Sequence, residues 1–315
     1  TQRIVQTIVL MVCVTYSLLI VYAYLPEETI SLTALQTDSD QFFQHDGNRV
    51  RYQLLSELSL KKPNLVLIHG FGNSLGTWES LAPKLSKAYN VYAIDMLGFG
   101  LSEKPVHYQY TNANQASVIQ SFAEAMDFDS FIVGGHSLGG AIAMHAAMID
   151  QKTQGLILFN PGIINTGVPE FSKYLNLIFP MSRISAKQFA DREFREGFLK
   201  RSYHEPSIVT DQVMDRVMLG TQTADYVSGM SSMLSKYYTS NEAELMSDVK
   251  LPTLIIFGIE DRNKSMEEAL QLKNGFSDSR LEIIQNAGHY VHEESPDTVS
   301  QIIIDSVKFL TGRNE

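Results

Sequence analysis

Two kinds of apolar pattern divide the chain. The first is one unbroken run near the start, 8–25, which reads IVLMVCVTYSLLIVYAYL and carries no charge. Roughly 18 such residues make about 27 Å of helix, enough to cross the hydrocarbon of a bilayer. The second is a series of short apolar runs at 65–68, 91–94, 131–133, 156–159, 253–257 and 281–284. Helical stretches of about 12 to 18 residues separate them, and short apolar runs spaced in this way read as parallel strands buried on both faces. Ahead of them, 42–45 and 50–55 flank Asp46-Gly47-Asn48, a β-hairpin signature. The pattern therefore predicts a mostly parallel sheet of eight strands flanked by helices. It closes with a helix over 296–310 that opens at Pro296 and carries Val299, Ile302, Ile303 and Val307 on one face.

Between 165 and 250 the alternation stops. This stretch has helical periodicity, many Met, Phe and Tyr residues and no clear strand. An excursion of that size between two strands predicts an inserted helical cap, rising from the carboxyl ends of the strands where open α/β sheets bind ligands. The expected organisation is thus a membrane anchor over 1–25, a polar linker over 26–40, a core made of 41–164 and 251–315, and a cap over 165–250.

The flanks of the first run refine its reading. Arg3 precedes it, Glu27 and Glu28 follow Pro26, and Tyr22 and Tyr24 sit where an interfacial aromatic belt would lie. A cleaved signal should end in small residues, but the exit here is the bulky Val21-Tyr22-Ala23-Tyr24-Leu25. A retained single-pass anchor is expected, with a secreted or periplasmic product of signal cleavage as the alternative. The charge bias places the rest of the chain outside the cytoplasm.

Composition narrows the function. With 25 Lys and Arg against 35 Asp and Glu, the chain of 315 residues carries a net charge of -10, which repels a phosphate backbone. No basic cluster with interleaved aromatics offsets this, so nucleic acid is not an expected partner. The one cysteine, Cys13, lies in the apolar run, so neither an intrachain disulfide nor a Cys/His metal cluster is expected.

The candidate chemistry begins at Gly135-His136-Ser137-Leu138-Gly139. This G-x-S-x-G directly follows one apolar strand and opens a helix through Ala141, Ile142, Met144 and Ala147, the setting of a nucleophile elbow. A serine hydroxyl needs a base to take its proton during attack. His289, in Asn286-Ala287-Gly288-His289, lies just beyond the last strand, and His292 is its rival. A carboxylate must then hold the imidazole tautomer. Asp261 in Phe257-Gly258-Ile259-Glu260-Asp261 is the expected partner, with Glu260 beside it. The sixth strand is followed by Asn160-Pro161, which cannot supply the charge. Two backbone donors for a developing oxyanion are expected at Leu138, on the helix N-terminus, and at Phe71 in the loop His69-Gly70-Phe71-Gly72. His69, Gly70, Gly72 and His136 are expected around the pocket, with His69 and His136 supporting their loops.

The segments HGFG (69–72), DMLGFGLS (95–102), GGHSLGG (134–140), FGIED (257–261) and AGHYVHEE (287–294) together resemble the α/β-hydrolase superfamily, in register from about 40 to 315. Within it the chain resembles capped lipases and carboxylesterases, including membrane-anchored monoacylglycerol lipases. The resemblance implies an α/β-hydrolase fold, a Ser-Asp-His triad in the order Ser137, Asp261, His289, an acyl-enzyme intermediate and no cofactor or metal. The superfamily also contains meta-cleavage product hydrolases, which cut C–C bonds with similar motifs, as well as thioesterases and cofactor-free haloperoxidases. Haloalkane dehalogenases and epoxide hydrolases place Asp at the nucleophile, and Ser137 argues against both. Fold and triad carry over better than substrate does.

The leading expectation is hydrolysis of a lipophilic carboxylic ester such as an acylglycerol. Phe171, Tyr174, Phe179, Met181, Phe189, Phe194, Phe198, Met214 and Met218 could line an acyl groove in the cap, though at least half of them should form the cap's own core. The alternatives are a C–C bond hydrolase of the meta-cleavage type and, from another class, a non-catalytic ligand receptor on this fold.

Overall fold

A computed structural model of the chain describes residues 2–166, 170–236 and 241–312. Residues 167–169 and 237–240 of the expected cap, and 313–315 of the expected core, lie outside the described residues.

Eight strands form one sheet: β1 (Gln41–His45), β2 (Asn48–Leu54), β3 (Asn64–Ile68), β4 (Asn90–Ile94), β5 (Phe131–His136), β6 (Thr153–Phe159), β7 (Thr253–Gly258) and β8 (Ser279–Ile284). Their order across the sheet is β1-β2-β4-β3-β5-β6-β7-β8. β2 is antiparallel to both β1 and β4, and every other pairing is parallel. The hairpin turns at Asp46 and Gly47, both at positive φ (46° and 77°), as the Asp-Gly pair requires.

Alternate residues of the central strands supply two separate cores. Val66 and Ile68 point into one with Val133, Leu156 and Leu158, beneath the helices Asn112–Ala125 and Leu138–Ile149. Leu65 and Leu67 point into the other with Ile132, Ile157 and Trp78, beneath the helix Pro296–Asp305. Burial on both faces is why these strands read as continuous apolar runs. The edge strand β8 instead alternates buried and exposed positions. The expected closing helix is broken at Ser306 into Pro296–Asp305 and Val307–Thr311.

Among the described residues, the segment between β6 and β7 contains helices and no strand: Glu170–Leu177, Met181–Ala190, Arg192–Ser202, Asp211–Met218, Tyr226–Lys236 and Glu242–Leu245, with short 3-10 turns. This is the inserted helical cap. It has a small core of its own, in which Leu199, Tyr203, Val209, Met214, Val217 and Met218 close on Tyr290 of the sheet domain.

The N-terminal helix Gln2–Tyr24 is long and apolar enough to cross a membrane, and no residue of its most apolar stretch is buried by the rest of the protein. Among the described residues, its hydrogen bonds to the cap lie at its carboxyl-terminal half and just beyond. Tyr16 Oη donates to the Phe179 carbonyl (2.6 Å), while Arg183 Nε and Lys187 Nζ donate to the carbonyls of Ala23 (2.7 Å) and Leu25 (2.9 Å). Cations at the terminal carbonyls of a helix complement its dipole. The following segment is pinned to the sheet domain, since Asp40 pairs with the buried Arg51 at 2.6 Å.

Candidate active site

The strand order reverses about β3, which lies between β4 and β5. The loops leaving the carboxyl ends of β3 and β5 therefore start side by side at the switch point, where α/β sheets place their ligands. One loop carries His69 to Gly72 and the other carries Ser137.

Ser137 sits between β5 and the helix Leu138–Ile149 with φ 51° and ψ −116°, a conformation that side chains rarely adopt. The flanking glycines make the turn sterically feasible. A Cβ at position 135 would lie 2.0 Å from the Gly139 carbonyl oxygen, and one at position 139 would lie 2.4 Å from that of Ile68. The Ser137 carbonyl is fixed by the amides of Gly140 (2.9 Å) and Gly162 (2.7 Å). Backbone strain is thus held in place from two sides, leaving the hydroxyl at the top of the sheet.

His289 and Asp261 come from the ends of β8 and β7 and meet at 2.6 Å, with Nδ1 of the imidazole on the carboxylate Oδ2. The Asp261 side chain is fully buried, whereas that of His289 keeps 14% of its surface. Burial pulls the Asp261 carboxyl upward. The hydrogen bond and charge of His289, the Asn263 amide and Lys264 outweigh this and hold it below the usual carboxylate range. Asp261 consequently stays ionised and accepts a hydrogen bond from His289 Nδ1, which turns Nε2 away from the carboxylate.

The rival His292 is buried in the core. Its Nε2 lies 2.9 Å from Thr77 Oγ1, and its ring packs on Trp78 at 4.4 Å. Burial, then the charges of Arg216 and His289, push its pKa well below the ordinary histidine value. Glu260 is followed by the turn that buries Asp261 and makes no bond to either histidine among the described residues.

The two expected oxyanion donors, Phe71 and Leu138, follow the paired strands β3 and β5. Leu138 is the first residue of its helix, so its N–H has no intrahelical acceptor. Gly70 brings the other loop close: a Cβ there would lie 3.3 Å from Ser137 Cβ. The Phe71 ring packs edge-on against Phe99 (5.6 Å) and against Phe189 of the cap (5.5 Å).

His69 and His136 are buried struts of these loops. His69 Nδ1 donates to the Gly70 carbonyl (2.8 Å), and its Nε2 accepts from the Met96 amide (3.1 Å). Burial holds it neutral despite the charge of Asp95. His136 donates from Nε2 to the His289 carbonyl (2.9 Å), and burial, then the neighbouring His289 and His292, push its pKa far down.

Three residues given no role from the sequence also shape the site. Asn160, fully buried at the end of β6, donates from Nδ2 to Asp261 Oδ2 (2.9 Å) and accepts the Gly258 amide on Oδ1 (2.9 Å). The position set aside as unable to carry charge instead orients the carboxylate that does. Asp95 accepts from Arg51 (2.9 Å) and from the amides of Leu75 (2.6 Å) and Leu101 (2.8 Å), tying the loop after β3 to the loop after β4. Its place in DMLGFGLS, immediately after an apolar strand, was the available signal. Arg195 descends from the cap onto Gly72, and no spacing in the sequence marks it.

Of the cap's candidate groove residues, Phe189 packs on Phe71 and on its neighbour Phe194 (5.6 Å), Met214 and Met218 enter the cap core, and Phe171, Tyr174 and Phe179 remain exposed, Phe179 against Tyr24 of the N-terminal helix. Among the described residues, no group of His, Cys, Asp and Glu could hold a metal ion.

A family model described as the alpha/beta hydrolase fold matches residues 63–296, from the start of β3 through the cap to the residue that opens the closing helix. The chain belongs to this family. An uncharacterized Bacillus subtilis hydrolase, YugF, is 26% identical over 268 residues, spanning 84% of this chain and 97% of that protein. The 2-hydroxy-6-oxo-6-(2'-aminophenyl)hexa-2,4-dienoic acid hydrolase of Metapseudomonas resinovorans is 26% identical over 296 residues, spanning 91% and 96%. Among solved structures, a bacterial membrane phospholipase A superposes with a TM-score of 0.68 at 22% identity and covers 99% of both chains, so the similarity of fold extends into the N-terminal helix.

Proposed function

We propose that this member of the family is a serine hydrolase that cleaves lipophilic carboxylic esters, with acylglycerols or related acyl lipids as its substrates. The observation that carries the reading is the Asp261–His289 pair, closed at 2.6 Å, on the same sheet edge as a Ser137 held at positive φ. In this reading Ser137 Oγ attacks the ester carbonyl while His289 Nε2 takes its proton. The Leu138 and Phe71 amides receive the developing oxyanion. His289 then hands the proton to the departing alcohol, and the acyl group stays on Ser137. Water, deprotonated by the same imidazole, attacks the acyl-enzyme and releases the acid.

The lipophilic substrate is supported by the surroundings of the cap. The N-terminal helix carries a mean hydropathy of 2.4, the cap exposes Phe171 (70% exposed), Tyr174, Leu177, Ile178 and Phe179, and Phe179 meets Tyr16 and Tyr24 of that helix. With the helix in a bilayer, this apolar edge of the cap meets the lipid, and the bias of Arg3 against Glu27 and Glu28 puts it on the extracytoplasmic side.

A second reading is favoured by the Metapseudomonas relative, which matches 91% of this chain and is named for C–C bond hydrolysis of a dienoic acid. The same serine, histidine and oxyanion donors would serve that cleavage. A panel of acyl esters of increasing chain length, assayed beside a 2-hydroxy-6-oxo-dienoate, separates the two. The proposal predicts turnover that rises with acyl length and negligible cleavage of the dienoate; preference for the dienoate would replace it with the second reading.

A further inference from the structure

The loop that carries His289 leaves the sheet at β8, yet each residue from Gly288 to Tyr290 is tied to the cap. The Gly288 amide donates to Glu294 Oε1 (2.8 Å), and Glu294 Oε2 accepts the amides of His204 (2.7 Å) and Glu205 (3.2 Å). The His289 amide donates to the Ser202 carbonyl (2.9 Å). The Tyr290 ring stacks on Tyr203 at 4.5 Å with 8° between the planes. Ser202 ends the cap helix Arg192–Ser202, and Tyr203, His204 and Glu205 follow it. One short stretch of the cap thus holds the whole neighbourhood of the base.

Glu294 is the junction of this arrangement. A carboxylate only accepts, and here its two oxygens receive three N–H groups from two separate segments. Burial raises its pKa, and the amides of Glu205, Gly288 and His204, which favour the ionised form, work against that. The segments it joins already lie very close: a Cβ at 288 would meet the His204 nitrogen at 2.7 Å and the Ser202 oxygen at 2.9 Å, both backbone atoms. On its other side His289 is held by the nucleophile turn, since its carbonyl accepts from His136 Nε2 beside Ser137 (2.9 Å). The neighbouring Glu293 makes a different tie between cap and sheet domain. It pairs with Arg216 of the cap helix Asp211–Met218 at 2.5 Å and accepts from Thr77, without touching Gly288 or His289.

We infer that Glu294 is a positioning residue for His289: its carboxylate fastens the cap segment 203–205 to Gly288, so that the cap sets the placement of the base relative to Ser137. The inference rests on the serine hydrolase reading of this site. It gives the cap a part in the chemistry besides covering the substrate, exerted through the backbone on either side of the imidazole. Displacing a reacting group by about 1 Å can cost on the order of 100-fold in rate, so a loosened histidine loop should be felt in kcat.

The test compares full-length wild type, Glu294→Gln and Arg216→Gln in detergent. Three quantities are read: Tm, kcat and KM on 4-nitrophenyl butyrate, and the downfield imidazole N–H resonance of the Asp261–His289 hydrogen bond. Glutamine keeps the shape of glutamate but has one acceptor oxygen and an NH₂ group, so either Gly288 or the 204–205 amides lose their acceptor. The expected result for Glu294→Gln is a kcat lower by roughly 10- to 100-fold per folded molecule, with KM within about threefold and the resonance displaced or lost. Arg216→Gln breaks the other tie; it should lower Tm while kcat stays within about twofold and the resonance stays in place. Gly288→Ala keeps Glu294 but wedges the loop off the cap, and it should reproduce the kcat loss even where Glu294→Gln does not fold. A near-native kcat in the folded position-294 variant, or in Gly288→Ala, would overturn the inference. So would a raised KM with kcat unchanged, an unmoved resonance, or an equal kcat loss in Arg216→Gln, which would assign the effect to a loosened cap in general. Turnover that survives Ser137→Ala would instead overturn the serine hydrolase reading, whereas the resonance reports the placement of His289 without any turnover.

Discussion

Ser137, His289 and Asp261 act as a unit in this account, so their substitutions should be strongly non-additive. Ser137→Ala and His289→Ala are each expected to lower kcat by about 10⁴-fold or more, and the double variant should lose little beyond either alone. Asp261→Asn should cost somewhat less, because the ring remains but loses its preferred tautomer. Neither Glu260→Gln nor His292→Ala should approach such losses in kcat, although His292→Ala opens the packing on Trp78 and should lower Tm. Asn160→Ala removes a buried hydrogen bond to the Asp261 carboxylate and should destabilise the fold by about 1–3 kcal/mol while also reducing kcat. Acid stability follows from the depressed Asp261. Its contribution is complete above the ordinary carboxylate value of 3.8 and is lost as pH falls through the lower folded-state value. Thermal melts of wild type and Asp261→Asn between about pH 5 and pH 2 should therefore converge as pH falls. The Asp261–His289 pair and the strained turn at Ser137 were legible in the sequence because each residue follows an apolar strand in a glycine-bearing loop. Asn160 and Arg195 were not, because their roles depend on elements that meet only after folding: β6 with β7, and a cap helix with the loop after β3.

At the scale of elements, the strand–turn–helix around Ser137 is the feature on which the site depends. Gly139→Ala would drive a methyl into the Ile68 and His69 carbonyls, which belong to backbone and cannot swing aside. It should destabilise the protein by about 1–3 kcal/mol or more and lower activity beyond what the fraction folded explains, as read by denaturation and kcat on the same sample. An equivalent change at Gly47 is strained by its positive φ but meets no atom within 4 Å, so it should be milder. The strands were readable because burial on both faces makes them apolar throughout, and the cap was readable as a break in that rhythm. The helix over 296–310 was read as continuous, but the chain turns at Ser306, where the Ser306 amide binds the Ile302 and Ile303 carbonyls (3.1 and 3.2 Å) before a second short helix begins. No proline or glycine marks that break, so periodicity alone ran through it. The linker over 26–40 looked polar and free, yet Asp40 is an ion-pair partner of the buried Arg51, a contact that only the folded hairpin provides.

For the whole molecule, the helix Gln2–Tyr24 and the cap are joined through Phe179, Arg183 and Lys187, and the account places the helix in a bilayer and the exposed apolar residues of the cap against it. A chain lacking residues 1–25 should move from the membrane pellet to the soluble fraction after carbonate washing. It should keep its activity on a short water-soluble ester and lose activity on vesicle-borne acyl lipid; retention in the pellet would show that the cap edge binds membrane by itself. In intact spheroplasts, added protease should degrade the catalytic domain, and protection would reverse the topology. The central claim is that one serine carries the chemistry. It is tested most directly by treating the full-length protein in detergent with a fluorophosphonate and mapping the adduct by peptide mass spectrometry. The account predicts a single stoichiometric adduct on Ser137, abolished in Ser137→Ala and strongly slowed in His289→Ala. An adduct on any other serine, or a Ser137→Ala protein that keeps near-native esterase activity, would contradict it.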